Sequence, residues 1–151
     1  MFERFTVSAL SALMGARAEA RRLGHNWVGS DQILLGLIGQ KGMASNVLQS
    51  MGVIISEVRT EVEKIIGIGR DLVEEDVPFT PRAKRILEHA SQRSAQLHHD
   101  YIGTGHLLGS LMDQEEGVAL QALAALNCDI LELRQIIEEQ MIIESHSRHL
   151  D

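Results

Sequence analysis

An all-α fold is predicted: eight short helices in two pseudo-twofold four-helix repeats. Three observations on this 151-residue chain support it. First, the sequence repeats. Phe5-Thr6 returns as Phe79-Thr80, and the eight residues from Leu23 to Ser30 return as Leu97 to Thr104, a constant offset of 74 residues. The offset becomes 75 once Glu116 is inserted, and it then carries Ala44, Leu48, Ile55 and Glu63 onto Ala119, Leu123, Ile130 and Glu138. Two copies are too few for an open solenoid, so each copy is expected to cover the apolar face of the other. Second, apolar residues make up 44 % of the chain but aromatic ones only 3 %. Leu, Ile, Val, Ala and Met must therefore fill the core, as in small, closely packed helices. Third, hydroxyl residues, glycines and a proline stand at the intervals where short helices begin and end.

Repeat one spans residues 5–66, a linker 67–78, repeat two 79–143 and a polar tail 144–151. The first helix of each copy starts at Thr6 or Thr80, whose hydroxyl can accept from an unpaired N–H of the first turn. Pro81 follows Thr80 at a position where a missing N–H costs nothing. Ala9, Leu13, Ala16 and Ala20 line one face, as do Ala83, Ile86, Leu87 and Ala90, and Gly24 stops the helix in copy one. A tight turn leads to Ser30 as N-cap of the second helix, Asp31 to Ile38, and Thr104 caps Gly105 to Met112 likewise. Gly42 and Gly117 separate the second helix from the third, which ends at Gly52 or Asn127. The fourth helix covers Ser56 to Ile66 and Ile130 to Ile143, with Asp129 and Glu132 as a capping box. Leu34, Leu37, Ile38, Val47, Leu48 and Met51 are expected in the core. The linker, with its glycines, acidic run (Asp71, Glu74, Glu75, Asp76) and Pro78, reads as a solvated connector, and the tail as frayed.

Several functional classes are excluded. A formal charge of −7 and a pI near 5.5 do not suit a nucleic-acid module or an anionic membrane surface. No stretch approaches the ~18 uninterrupted apolar residues of a membrane span. The Arg-containing amphipathic N-terminus resembles a transit peptide superficially, but its repetition at Phe79 to Gln96 places it in the fold. The lone Cys128 forms no internal disulfide and, aligned with Val53, reads as a small buried thiol. His89, His98, His99 and His106 fall within one repeat, yet their spacing matches no zinc motif. His25 and His99 read as loop-bonding groups and His106 as a polar surface or turn group. No Ser or Cys has a base at motif spacing, and no phosphate loop occurs. No cofactor, metal or catalytic role is expected.

Specific segments carry a family resemblance. Met1-Phe2-Glu3-Arg4-Phe5-Thr6, the Arg22-Leu23-Gly24-His25-Asn26 turn, the segment from Gln32 to Gly39 and that from Val58 to Gly67 are similar to the N-terminal domain of ClpC-type AAA+ unfoldases. Pro78 to Arg85 and Tyr101-Ile102-Gly103-Thr104 resemble the second-copy motifs of the same domain. The similarity runs from Met1 to about Met141 and is nearest the cyanobacterial and plastid branch. It implies the eight-helix Clp N-domain fold. It also implies a non-catalytic role in the ATP-dependent Clp chaperone–protease system, with ClpC-like or ClpP/ClpR-type subunits, adaptors or substrates as partners. The implied setting is the cytoplasm of a cyanobacterial-type cell, or the plastid stroma if a transit peptide was removed.

The second copy departs more from the family pattern, as at Ser91 to Ala95 and Gly109-Ser110. Together with the missing phosphate loop, this favours a free-standing, ClpT-like protein acting as adaptor, assembly factor or decoy receptor. The alternatives are the receptor domain of a ClpC and a Clp-independent binder of degrons or phosphoarginine-marked peptides. In some members each repeat binds phosphoarginine through a Thr at the first helix start and a Glu in a Gly-Thr-Glu-His turn. Thr6 and Thr80 match the threonines, whereas Asp31 and Gly105 stand at the glutamates. The resemblance thus implies one degenerate site at Thr6 and Asp31 and a dead one at Thr80 and Gly105, with helix capping as the simpler role of the hydroxyls. Trp27 and its repeat partner Tyr101 are candidate partner contacts, because exposed aromatic anchors often dominate interfaces.

Overall fold

The computed structural model describes residues 2–69 and 76–150, with side chains through residue 145. Eight helices run in order: α1 Val7–Arg22, α2 Ser30–Gly39, α3 Met43–Ser50, α4 Ile55–Ile66, α5 Pro81–Gln96, α6 Thr104–Met112, α7 Val118–Ala125 and α8 Ile130–Leu150. Leu34, Leu37, Val47 and Leu48 are buried as their spacing requires, in one cluster that unites both repeats, while Ile38 and Met51 pack against it partly exposed. The end of α8 and the burial of Cys128 depart from expectation. α8 continues to Leu150, so residues 144–150 are helical rather than a frayed tail. Cys128 is only half-buried, although it still touches the core. Asp71, Glu74 and Glu75 of the acidic run lie outside the described residues.

Thr6 and Thr80 cap α1 and α5: their Oγ1 atoms accept from Ala9 N at 3.0 Å and Ala83 N at 3.1 Å. Ser30 and Thr104 do not cap the helices they open. The cap positions there belong to Gly29 and Gly103, whose N–H groups are taken by side chains three residues on. Gln32 Oε1 accepts from Gly29 N at 2.7 Å, and His106 Nδ1 accepts from Gly103 N at 2.9 Å. The hydroxyls of Ser30 and Thr104 cross instead to the other repeat. Thr104 Oγ1 accepts from Ala44 N at 3.3 Å, in the first turn of α3, and Ser30 Oγ accepts from Ala119 N at 3.4 Å, in the first turn of α7. Such hydroxyl caps stabilise a helix by about 1 kcal/mol each. Gly42 and Gly117 make the approach possible, since a Cβ there would stand 2.8 Å from Thr104 Oγ1 and 3.2 Å from Ser30 Oγ.

The backbone repeats this exchange. Thr6 N donates to Ile102 O at 3.0 Å and Ile102 N to Arg4 O at 2.7 Å, while Val28 N donates to Pro78 O at 2.8 Å and Thr80 N to Val28 O at 2.9 Å. The segment leading into each repeat therefore pairs with the turn of the other repeat. The copies are interlocked at both ends of the pseudo-twofold interface.

Candidate functional site

The interlock decides which candidate residues meet. Because each leading segment lies on the opposite turn, Thr80 comes to the start of α2, and Thr6 to the start of α6. The first of these places holds a cavity of about 480 Å³ lined by Ser30, Asp31, Thr80, Arg82, Arg85 and Gln121, among others. The second holds one of about 200 Å³ lined by Thr6, Met43, Tyr101, Thr104, Gly105 and Glu144, among others. The expected partition is thus corrected: the surviving carboxylate, Asp31, shares its cavity with Thr80, and Thr6 shares with Gly105. Sequence alignment pairs residues within a repeat and carries no sign of the exchange between repeats.

The two cavities differ chemically. Asp31 is 4 % exposed, and its Oδ2 has no hydrogen-bond partner among the described residues. Burial pushes its carboxyl up to about 6, although hydrogen bonds at the backbone of Asp31 and Gln32 and the nearby His25 pull the other way. A buried carboxylate with an open oxygen has capacity to receive a cationic donor group. Arg82 on the rim is tied to Glu116, donating from Nη1 to its carbonyl at 2.5 Å and from Nη2 to its carboxylate at 3.0 Å. Arg85 is exposed on the same rim.

In the smaller cavity, Gly105 leaves room that Met43 fills. A Cβ at Gly105 would lie 2.5 Å from Met43 Sδ. Tyr101 closes the cavity from the side. Its hydroxyl donates to Glu144, and its ring stacks on His99 with centroids 5.1 Å apart. Trp27, the repeat counterpart of Tyr101, is 55 % exposed. The two candidate partner contacts therefore differ: Trp27 is open to solvent, and Tyr101 is engaged inside the fold.

The histidines also separate. His25 Nε2 bonds Gly67 O at 2.8 Å, a loop contact of the expected kind. His106 departs from expectation: it is 2 % exposed and acts as the capping acceptor of α6. Gln32 stands at the aligned position, which gave a sequence signal for capping that its polar character obscured. Among the described residues, no group of three or more His, Cys, Asp and Glu side chains could hold a metal ion.

A model of the Clp repeat (R) N-terminal domain matches residues 4–108 and 79–147. The chain belongs to this Clp N-domain family. The chloroplastic chaperone protein ClpC of Pisum sativum is 52 % identical over 147 residues, covering 96 % of this chain and 16 % of that protein. A ClpA homolog from Guillardia theta, an ATP-binding subunit of the ATP-dependent Clp protease, is 55 % identical over 135 residues, or 89 % of this chain and 16 % of its own. The chain thus spans about a sixth of the length of these relatives. Among solved structures, the N-terminal domain of ClpD from Arabidopsis thaliana aligns with a TM-score of 0.82 and 28 % identity, covering 93 % of this chain and 96 % of that one. The Hsp104 N-terminal domain from Candida albicans, at 13 % identity and a TM-score of 0.75, shares the fold. Within this Clp N-domain, the corrected pairing places Asp31 and Thr80 at one repeat junction and Thr6 and Gly105 at the other.

Proposed function

We propose that this Clp N-domain is a non-catalytic interaction domain of an ATP-dependent Clp chaperone–protease, receiving Clp subunits, adaptors or substrates, with an adaptor role as the specific reading. Family membership and the names of the relatives support the system; the chloroplastic relatives support a plastid or cyanobacterial-type setting. The observation that carries a binding role is the open Oδ2 of buried Asp31 in a cavity that also holds Thr80 and two arginines. A carboxylate there suits a guanidinium group, and the arginine rim suits an anion attached to it. A phosphoarginine-marked peptide is the ligand class with both features.

Pull-down from native lysate followed by mass spectrometry is expected to recover a ClpC-like, ClpP or ClpR-type subunit; client proteins alone would count against the Clp assignment. Calorimetry with phosphoarginine is expected to show weak binding that Asp31→Asn or Thr80→Ala abolishes and Thr6→Ala leaves unchanged. The opposite dependence, on Thr6, would refute the pairing. Gly105→Glu alone creates no second site, because Met43 occupies the space; Gly105→Glu with Met43→Ala is the combination expected to gain binding.

A further inference from the structure

We propose that Glu116 is a tethered competitor for the anion half of the Asp31 cavity, its carboxylate masking Arg82 until an anionic ligand displaces it. The inference rests on the reading of that cavity as a binding site, and it adds the residue that sets how tightly the anion is held.

The two cavities stand at equivalent junctions and diverge at the positions that meet an anion. Arg82 and Arg85 of α5 line the Asp31 cavity. Their aligned residues in repeat one are Ser8 and Ser11, and Ser8 lines the smaller cavity. Glu116 is the inserted residue that shifts the repeat offset from 74 to 75, so repeat one has no counterpart for it. The arginines and the inserted glutamate therefore occur together, in the cavity that keeps a buried carboxylate.

Helix geometry favours an anion at the same place. The cavity draws its lining from Gly29 to Asp31, from Thr80, Pro81, Arg82 and Arg85, and from Glu116, Gly117, Val118 and Gln121. These are the starts of α2, α5 and α7, so the positive ends of three helix dipoles converge there. Asp31 supplies the opposite requirement, with one carboxylate oxygen left open. A phosphorylated guanidinium carries both charges.

Glu116 meets Arg82 with two different groups. Its backbone carbonyl accepts from Arg82 Nη1 at 2.5 Å, and its carboxylate accepts from Nη2 at 3.0 Å. The carbonyl contact is held by the chain. Arg82 lies against Gly117, where an added Cβ would stand 3.4 Å from Arg82 Cδ and 3.6 Å from Nη1. The carboxylate contact is looser, because the Glu116 side chain is 79 % exposed against 27 % for Arg82. Water receives the carboxylate as it swings away, so its release costs little. Arg82 stays placed by the carbonyl, and Nη2 is then available to a phosphoryl oxygen. The backbone of Glu116 positions Arg82 while its side chain competes for it.

Calorimetry on the whole chain with two probes, phosphoarginine and inorganic phosphate, tests this. Glu116→Gln keeps the carbonyl and removes the charge, and it is expected to tighten both probes about threefold, the scale of one exposed ion pair. Glu115→Gln neutralises an exposed neighbour outside the cavity lining and is expected to change neither. In an Arg82→Gln background, Glu116→Gln is expected to have no effect. Equal gains from the two glutamate variants, or a gain that persists without Arg82, would overturn the competitor. So would weaker binding by Glu116→Gln, which makes the side chain a support for Arg82. Phosphoarginine binding that needs Asp31 but ignores Glu116 overturns the competitor and leaves the binding site standing. Failure of the underlying reading looks different. Phosphate tightened by Glu116→Gln, with phosphoarginine binding no better than phosphate and indifferent to Asp31→Asn, upholds the competitor and refutes the guanidinium ligand. Binding of neither probe to any variant overturns both.

Discussion

Asp31 is a side chain whose burial costs the fold stability while one of its oxygens stays open in the cavity. Its carboxyl is pushed up to about 6 from the ordinary value, first because burial disfavours the charged form. A carboxyl raised in the folded state favours folding when protonated, so its penalty is full above pH 6 and fades as the pH falls toward 4. Replacing it with Asn is therefore expected to stabilise the domain at pH 8 by up to about 3 kcal/mol and to give no gain at pH 4. Thermal denaturation at the two pH values checks this; a gain at pH 4 equal to that at pH 8 would show that charge burial is not the cause. Asp31, Thr6, Thr80 and Gly105 were all legible in the sequence as positions of interest. Their grouping was not, because it depends on which repeat's turn each leading segment lies against. Met43 gave no signal at all: a methionine at a helix start reads as core, and only its distance from Gly105 reveals what it occupies.

At the scale of helices, apparent drift in repeat two turns out to be repacking. A Cβ at Gly36 would stand 2.1 Å from Ala12 O, so α1 and α2 cross with their backbones close. The aligned residue, Ser110, instead donates its hydroxyl to Ile86 O at 2.6 Å, and Ile86 aligns with Ala12. Next to it, Gly109 replaces Leu35 and makes room for Met141 and Ile137 of α8, whose atoms would lie 3.2 and 3.4 Å from an added Cβ. The changes that distinguish the repeats at these two positions thus fit helices at different separations. Gly36→Ser is expected to destabilise by more than about 3 kcal/mol through overpacking, while Ser110→Gly costs about 1–2 kcal/mol from the lost bond and packing. Similar losses for both would mean that the crossings are equivalent after all. The ion pairs linking the first and fourth helices also differ between the repeats. Buried Glu19 on α1 binds Arg59 of α4 at 2.7 Å, whereas Arg93, aligned with Glu19, pairs with Glu138 of α8, one turn beyond Arg134, which is the residue aligned with Arg59. Helix order and most boundaries were legible from caps and periodicity. The end of α8 was not, because its last turns carry polar residues that read equally well as tail.

The whole molecule is one cooperative unit by construction. Each leading segment takes its backbone partners from the opposite turn, and one apolar cluster runs through both copies. Residues 1–69 expressed alone are expected to lack a cooperative unfolding transition, as are residues 70–151, and mixing the two is expected to restore helical circular dichroism. A folded isolated half would show that the exchange between repeats is dispensable. The duplication predicted a closed pair of repeats; the exchange of hydroxyl caps and backbone bridges between them needed coordinates, since no spacing distinguishes a cap used at home from one used across the interface.

The crossed hydroxyls of Ser30 and Thr104 bear on how such a protein can change over generations. Each sits against a glycine belonging to the other copy, so a substitution at any one of the four is selected through a residue some ninety or sixty positions away. Duplicates usually gain freedom from one another after they arise. Here a shared boundary keeps them mutually accountable at that seam, and the constraint extends to Gly105, where an added Cβ would stand 2.5 Å from Met43 Sδ of the other copy.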